Sequence, residues 1–205
     1  MSHSIIIVGA FHETIELAEE NNFEIIGFID NEKAGLYKGY KILCNDLEAN
    51  NLDNSFKKYD LVITPDKPEI RLKLFNYYKN LGFKFSSIIS SHSKISKSSE
   101  IGEGTIVQYG VNISAECQIG KFTKINTYAN IMHDTSVGDF TTIAPNSLIL
   151  GRVSIGNACY IGANATILPG LSVGNNAIIG AGAIVTKNVE RGKVMLGNPA
   201  RELNK

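Results

Sequence analysis

The chain has 205 residues, of which 43% are hydrophobic and 20% charged, a composition typical of globular proteins and unlike that of disordered chains. Lys and Arg number 20, as do Asp and Glu, so the formal net charge is zero, which argues against nonspecific electrostatic binding to nucleic acid. No CxxC motif is present, no apolar run is long enough for a membrane helix, and no signal peptide is visible. We therefore expect a cytoplasmic protein with reduced thiols at Cys44, Cys117 and Cys159.

Residues 5–90 alternate between segments typical of strands and segments typical of helices. We predict strands at 5–8, 23–30, 59–64 and 83–89, and helices at 12–21 and 69–82, the second ending at Gly82. Gly35 and Gly39 indicate an irregular loop over 31–45. Such alternation implies a parallel sheet with right-handed crossovers, so the pattern predicts a Rossmann-like α/β domain at 1–90.

Ligands of such sheets bind at the carboxyl ends of the strands. These ends carry polar and small residues, namely Gly9, Ala10, Phe11, His12, Asp30, Asn31, Lys33, Thr64, Pro65, Asp66 and Lys67. Only Gly9 represents the GxGxxG fingerprint, which disfavours NAD or FAD. Asp30 would suit the ribose or base of a mononucleotide, or else cap a turn. Lys33, Lys67 and Arg71 would meet a diphosphate, or else remain solvated surface charges.

A repeat of six residues occupies the second half of the chain. Every sixth residue from Ile95 to Val185 is Ile or Val, and small residues recur two positions earlier. Glycines return every 18 residues, at Gly102, Gly120, Gly138, Gly156 and Gly174. Neither a helix nor a plain strand has this period. It predicts about five triangular coils of short parallel strands over 95–190, with a glycine at one corner for a positive φ or for close backbone approach.

Histidine is nearly absent from this repeat. His92 and His133 are its only histidines, too few for a zinc site built from three imidazoles, so we expect no metal. His133 follows the inward-facing Ile131 by two residues and should point outward beside Asp134. A carboxylate beside an imidazole fixes its tautomer and raises its basicity, which suits a general base; a surface histidine at a subunit contact is the alternative. Cys117 and Cys159 occupy the small-residue positions and are expected to be packing thiols.

Three features together resemble the bacterial acyltransferases of the left-handed β-helix fold: the hexads, the segment 133–140 (HDTSVGDF) and the segment 197–201 (GNPAR). With the α/β domain in front, the whole chain resembles the NeuD/PglD-like family of sialic acid O-acetyltransferases and nucleotide-aminosugar N-acetyltransferases. This resemblance implies an all-β left-handed parallel β-helix at 91–205 with a C-terminal cap. It also implies a homotrimer whose active sites lie between neighbouring coils, with acetyl-CoA in the groove between two subunits.

The resemblance assigns roles to individual residues. His133 matches the general base, Asp134 its acidic neighbour and Asn126 a polar residue of the same site. Positions that contact CoA, often through the backbone, correspond to Thr142, Ala163 and Ala181, and the CoA end is closed by Gly197, Asn198 and Pro199. His12 matches the family histidine of a Gly-x-x-Gly-His loop after a gap of one residue, and Asp30 and Asn31 match an acidic pair.

The chemistry expected from this resemblance is direct acetyl transfer, in which His133 takes the proton of the attacking amine and a backbone N–H stabilises the oxyanion. The predicted substrate is a nucleotide-linked 4-amino-4,6-dideoxysugar (dTDP-linked first, then UDP or GDP) for O-antigen or glycan synthesis. O-acetylation of sialic acid or another sugar hydroxyl is the alternative, and a non-catalytic structural solenoid is a third reading.

Overall fold

The first part of the chain forms an α/β domain in the computed structural model, which describes residues 3–203. Its strands are β1 (Ser4–Val8), β2 (Glu24–Ile29), β3 (Leu36–Tyr37), β4 (Tyr40–Cys44) and β5 (Asp60–Ile63), and its helices are α1 (His12–Glu20) and α2 (Pro68–Asn80). Short 3₁₀ turns lie at Ala49–Asn51 and Asn54–Lys58. The sheet order is β3-β4-β2-β1-β5, with β4, β2, β1 and β5 parallel. Parallel strands place their carboxyl ends at one edge, as the sequence predicted.

Two predictions about this domain were wrong. The loop predicted over 31–45 contains the hairpin β3–β4, in which Lys38 and Gly39 both have a positive φ, as a two-residue hairpin turn requires. The strand predicted over 83–89 is not one strand. Phe85 makes a single bridge to Leu61, whereas Ile88 and Ile89 pair with the second part of the chain.

The second part is a parallel β-helix of two-residue strands that stack in three sheets. Residues 18 apart are neighbours, so Ile125 lies on Ile143 and Ile131 lies on Ile149. The aliphatic residue of every hexad from Val107 to Val185 is buried. The strands are β6 (Ile88–Ile89), β7 (Lys94–Ile95), β8 (Glu100–Ile101), β9 (Ile106–Val107), β10 (Asn112–Ile113), β11 (Gln118–Ile119), β12 (Lys124–Ile125), β13 (Asn130–Ile131), β14 (Ser136–Val137), β15 (Thr142–Ile143), β16 (Leu148–Ile149), β17 (Ser154–Ile155), β18 (Tyr160–Ile161), β19 (Thr166–Ile167), β20 (Ser172–Val173), β21 (Ile178–Ile179) and β22 (Ile184–Val185).

The sequence predicted the repeated glycines for one of two reasons, a positive φ or close backbone approach, and the turns of the β-helix show which one applies. A positive φ occurs three positions before the inward aliphatic residue, for example at Asp134 (58°) and Gly182 (67°). The glycines spaced by 18 do not need it. A Cβ on Gly120 or Gly138 would instead lie 2.6 Å from the backbone of the next coil. Close approach of successive coils therefore requires these glycines.

The two domains are joined by a buried arginine and by aromatic rings. Arg71 of α2 is 1% exposed and donates to the carbonyl oxygens of Phe122 (3.0 Å), Phe140 (2.6 Å) and Thr141 (3.1 Å) of the β-helix. The rings of Phe122 and Phe140 stack at 5.2 Å, and Phe75 of α2 packs against both. Burial lowers the pKa of Arg71 to about 10. The expectation that Arg71 meets a diphosphate is therefore wrong, because its guanidinium is buried at the domain interface and donates to carbonyl oxygens there.

The chain ends in a cap on the β-helix. Strand β23 (Val194–Leu196) continues the largest sheet in parallel with β21, and β24 (Arg201–Glu202) returns antiparallel to it. The residues 197–199 form the connection, with Gly197 at a φ of 90°. Within residues 3–203, neither helix is long and apolar enough to cross a membrane.

Candidate active site

A cleft of about 500 Å³ lies at the carboxyl edge of the α/β sheet. The segments that follow β1, β2 and β5 form it together with α2 and with Lys124 of the β-helix. The structure brings nine of the ten residues predicted for substrate binding to this cleft: Gly9, Ala10, Phe11, Asp30, Asn31, Lys33, Thr64, Pro65 and Asp66.

His12 is the tenth, and it points elsewhere. Its Nε2 lies 3.1 Å from Oε1 of Glu16, one helical turn along α1, and half of its side chain is exposed. Lys67 likewise does not line the cleft. The imidazole of His12 therefore lies outside the cleft, because the short loop after Gly9 turns directly into α1, and a contact between His12 and the substrate stays a prediction.

Asp30 shapes the cleft as a backbone cap. Its Oδ2 accepts from the N–H of Ala10 (2.7 Å), and its Oδ1 accepts from the N–H groups of Glu32 and Lys33 (2.8 Å each). Burial raises the pKa of this carboxyl. The three N–H donors lower the pKa by more than burial raises it, so the pKa lies below its ordinary value. Of the two predicted roles for Asp30, the turn cap is the one that these hydrogen bonds describe.

Asp46 is a cleft residue that the sequence did not single out. Its carboxylate accepts from Asn31 Nδ2 (2.6 Å) and from the hydroxyl of Tyr78, and its N–H donates to Asn31 Oδ1 (2.9 Å). Burial raises the pKa of Tyr78, so this phenol stays a donor. Both the amide nitrogen and the amide oxygen of Asn31 are therefore fixed by Asp46, just after the carboxyl end of β2.

Gly9 and Thr64 hold the ends of β1 and β5 together. The hydroxyl of Thr64 lies within hydrogen-bond distance of the carbonyl oxygens of Val8 (3.0 Å) and Gly9 (2.8 Å). Gly9 has a φ of +87°, and a Cβ there would lie 2.5 Å from Thr64 Oγ1. No other residue fits this position without displacing the floor of the cleft.

A second group of predicted residues lies on the β-helix, at the turn between β13 and β14. His133 Nδ1 lies 2.6 Å from Asp134 Oδ2, and about half of each side chain is exposed. Because a carboxylate only accepts hydrogen bonds, Nδ1 carries the proton, and the free lone pair of the neutral ring is on Nε2. The sequence-predicted pair therefore has the geometry of an oriented base.

Gly151 lies one coil after His133, and sequence analysis did not name it. A Cβ at Gly151 would lie 2.7 Å from Nε2 and 2.8 Å from Cε1 of the His133 ring. Its carbonyl accepts from Gly170, but its N–H donates to no acceptor within the part of the chain that the structure describes. The spacing of 18 residues from His133 is the signal that would have identified it.

The remaining predicted residues occupy a different corner of the β-helix. Asn126, Ala163, Ala181 and the segment 197–199 each follow a strand of the largest sheet, at its corner with the sheet that contains β13. His133 lies at the next corner along the coil. One chain therefore does not bring Asn126 and His133 to the same corner.

Thr142 lies at the interface between the two domains. Its side chain is fully buried, and its hydroxyl donates to the carbonyl oxygen of Asp66 (2.6 Å). The side chain of Thr142 therefore belongs to the domain interface, and a contact between the Thr142 backbone and CoA stays a prediction. Cys117 and Cys159 are buried, and burial raises the pKa of Cys159. Among residues 3–203, no three His, Cys, Asp or Glu side chains cluster as a metal site.

Comparison with known proteins supports both the fold and the class of enzyme. The family model "Bacterial transferase hexapeptide (six repeats)" matches residues 116–151 and 152–187. Comparison with curated protein sequences returns no match.

Solved structures match over almost the whole chain. A histidine-to-alanine mutant of GDP-perosamine N-acetyltransferase from Caulobacter crescentus, in complex with CoA and GDP-perosamine, has a TM-score of 0.92 at 26% identity, over 98% of this chain and 97% of that one. The acetyltransferase domain of PglB from Neisseria gonorrhoeae, with acetyl coenzyme A, has a TM-score of 0.89 at 26% identity (99% and 100% covered). WeeI from Acinetobacter baumannii has a TM-score of 0.88 at 29% identity (98% and 100% covered). The predicted left-handed β-helix behind an α/β domain, the predicted resemblance and the predicted acyltransferase class are confirmed.

Proposed function

Because the chain carries transferase hexapeptide repeats and matches aminosugar N-acetyltransferases along its whole length, we propose that it transfers acetyl from acetyl-CoA to the amine of a nucleotide-linked 4-amino-4,6-dideoxysugar. The observation that carries the proposal is the His133–Asp134 pair, which leaves a ring nitrogen free at an exposed turn. The cleft in the α/β domain supplies a separate site for the nucleotide. A solenoid with only a structural role requires neither feature.

The proposed chemistry is a single displacement. The neutral amine attacks the thioester carbon while His133 Nε2 accepts a proton from the amine, and Asp134 stabilises the imidazolium. The tetrahedral intermediate then expels the thiolate of CoA as its C–S bond breaks, and the imidazolium returns the proton to the sulfur. The N–H of Gly151, which has no acceptor among residues 3–203 and lies in the coil beside the imidazole, suits the oxyanion.

The proposed active site is shared between chains of a homotrimer. Asn126, Ala163, Ala181 and the segment 197–199 lie at one corner, and His133 lies at the next. A threefold arrangement of triangular coils sets the first corner of one subunit beside the second corner of its neighbour, which forms three equivalent grooves. Acetyl-CoA would lie in each groove, with its acetyl group at His133 and its far end at the segment 197–199.

For the nucleotide of the substrate we propose three candidates, which one assay can compare. The predicted order of nucleotides, with dTDP first, came with the family resemblance, and the Caulobacter crescentus relative was crystallised with GDP-perosamine. Since the Asp30 carboxylate is engaged with backbone N–H groups of its own loops, and Asn31 and Asp46 with each other, the base would be read largely by main-chain groups of the loops. The panel therefore contains dTDP-, UDP- and GDP-linked 4-amino-4,6-dideoxysugars.

The test is a thiol-release assay with acetyl-CoA, this panel and free sialic acid. Wild type should turn over one aminosugar nucleotide, and His133→Ala should lower kcat by about 10²- to 10⁴-fold, the usual value for general base catalysis. His3→Ala is the matched control, because His3 pairs with Asp60 away from both sites. Turnover of sialic acid alone would establish O-acetylation instead, and no turnover with bound acetyl-CoA would refute the substrate class.

A further inference from the structure

Lys124 is a β-helix residue whose charge lies inside the cleft of the α/β domain. Its side chain is 2% exposed, although it comes from β12 in the other domain. The ammonium donates to the carbonyl oxygen of Thr64 (2.8 Å) and lies 3.0 Å from Asp66 Oδ1. Burial lowers the pKa of Lys124, and the half-exposed Asp66 carboxylate opposes that effect. Burying an ammonium is costly, and these two oxygen partners offset that cost, while Lys124 still lines the cleft.

The hydrogen bonds of Lys124 leave one donor unused. An ammonium has three N–H groups, and those described account for two of them. Lys124 lines the cleft, and its Nζ lies 5.3 Å from the centre of the Phe11 ring. The cleft therefore contains a fixed cation that has two oxygen partners among residues 3–203 and that faces the ring of Phe11 in the segment after β1.

A second feature points to the same place. Phe11 is the N-cap of α1 and provides no side-chain hydrogen bond to the first turn of that helix. The N–H groups of His12 and Glu13 donate to no acceptor within the described residues. Unpaired N–H groups at a helix N-terminus favour an anion, and phosphate is the usual one.

We propose that Lys124 binds a phosphate oxygen of the substrate's nucleoside diphosphate, between its ammonium and the N-terminus of α1. This inference rests on the proposed function and names the residue that orients its substrate. The phosphates lie at the end of the cleft nearest the β-helix, and the base lies toward Asp30 and Asn31. Lys124 thus directs the sugar out of the cleft toward the β-helix.

The competing explanation is that Lys124 only holds the segment 64–66. Thr142 makes the other side-chain hydrogen bond from a β-helix strand to this segment, to the carbonyl of Asp66, and it carries no charge. Thr142→Val is therefore a matched control for the holding role. Lys124→Met keeps most of the length of the side chain without the charge, and Lys124→Gln keeps a polar group should the first variant fold poorly.

The experiment is calorimetric titration of the full-length protein with UDP, GDP and dTDP, with acetyl-CoA binding as the check on folding. For whichever nucleotide wild type binds, Lys124→Met and Lys124→Gln should raise Kd by about 10- to 100-fold, the range of a charge-assisted hydrogen bond, and Thr142→Val by at most about threefold. An unchanged Kd in the Lys124 variants, or an equal loss in Thr142→Val, would overturn the role of Lys124 and leave the proposed function standing. A wild type that binds none of the three would overturn both.

Discussion

At the scale of single residues, the contact between His133 and Gly151 has a measurable consequence. The equivalent positions in the next two coils carry Pro169 and Lys187, so the turn itself tolerates a side chain. Gly151→Ala would place a methyl group 2.7 Å from Nε2 and displace the imidazole. We expect kcat to fall by about 10²-fold, because a misplacement of about 1 Å costs that much.

The control for this prediction is a double-mutant cycle in thermal stability. If the methyl group clashes with the imidazole, Gly151→Ala should lower Tm in wild type but have little effect in a His133→Ala background. An equal loss of Tm in both backgrounds would mean that the backbone, and not the imidazole, requires the glycine.

Asp30 gives a second prediction at this scale, for stability as a function of pH. Its pKa in the folded state lies below the ordinary value of 3.8, because the N–H groups of Ala10, Glu32 and Lys33 outweigh the effect of burial. Its contribution is therefore complete above that ordinary value and is lost as the pH falls through the folded pKa. In Asp30→Asn, an NH₂ group would face one of these donors.

We expect Asp30→Asn to lower the free energy of unfolding by about 1 kcal/mol near pH 7, the usual value of such a hydrogen bond. Chemical denaturation of both proteins from about pH 7 to pH 3 should show this difference shrinking toward the acidic end. Glu32→Gln removes an exposed neighbouring carboxylate and serves as the control. A difference that does not change with pH would show that ionised Asp30 does not act as the cap.

At the scale of secondary structure, regular patterns were predictable and short irregular pairings were not. The hexads place an aliphatic residue inside at every sixth position, and the buried residues from Val107 to Val185 follow them. The same register reaches back to Ile89, six residues before Ile95, which explains why this residue pairs with the β-helix and not with the α/β sheet. Applying the period one step further upstream would have corrected the strand predicted over 83–89.

The missed hairpin β3–β4 has a different cause. Its first strand has only two residues, and its second, YKILC, lacks the aliphatic run that identifies β1 (SIIIV). The signal lies in the turn, where Lys38-Gly39 separates Tyr37 from Tyr40 and supplies the two positive φ angles. Turn chemistry would have identified this edge of the sheet.

The residues of the candidate sites likewise divide into those that a local pattern predicts and those that it does not. Residues of the cleft that follow a strand were predictable, because parallel strands end together. Lys124, Arg71 and Thr142 were not, since their positions depend on how the β-helix docks against α2 and the segment after β5. Contacts between segments about 60 residues apart leave no local pattern in the sequence.

At the scale of the whole molecule, the separation of His133 and Asn126 on two corners of the coil gives the last prediction. Each proposed site takes His133 from one subunit and Asn126 from another. His133→Ala and Asn126→Ala homotrimers should then each have three defective sites. A mixed trimer regains an intact site wherever the His133→Ala chain supplies Asn126 and the Asn126→Ala chain supplies His133.

Denaturing the two variants together and refolding them at equal concentrations should therefore recover activity that neither variant has alone. Random mixing of chains leaves about a quarter of the sites intact, so about a quarter of wild-type kcat per site is expected. The control is the same mixture assembled from separately refolded trimers, which should stay inactive as long as the subunits do not exchange. If the refolded mixture is no more active than the mean of the two variants, His133 and Asn126 do not meet across subunits. The groove between neighbouring coils would then not be the active site.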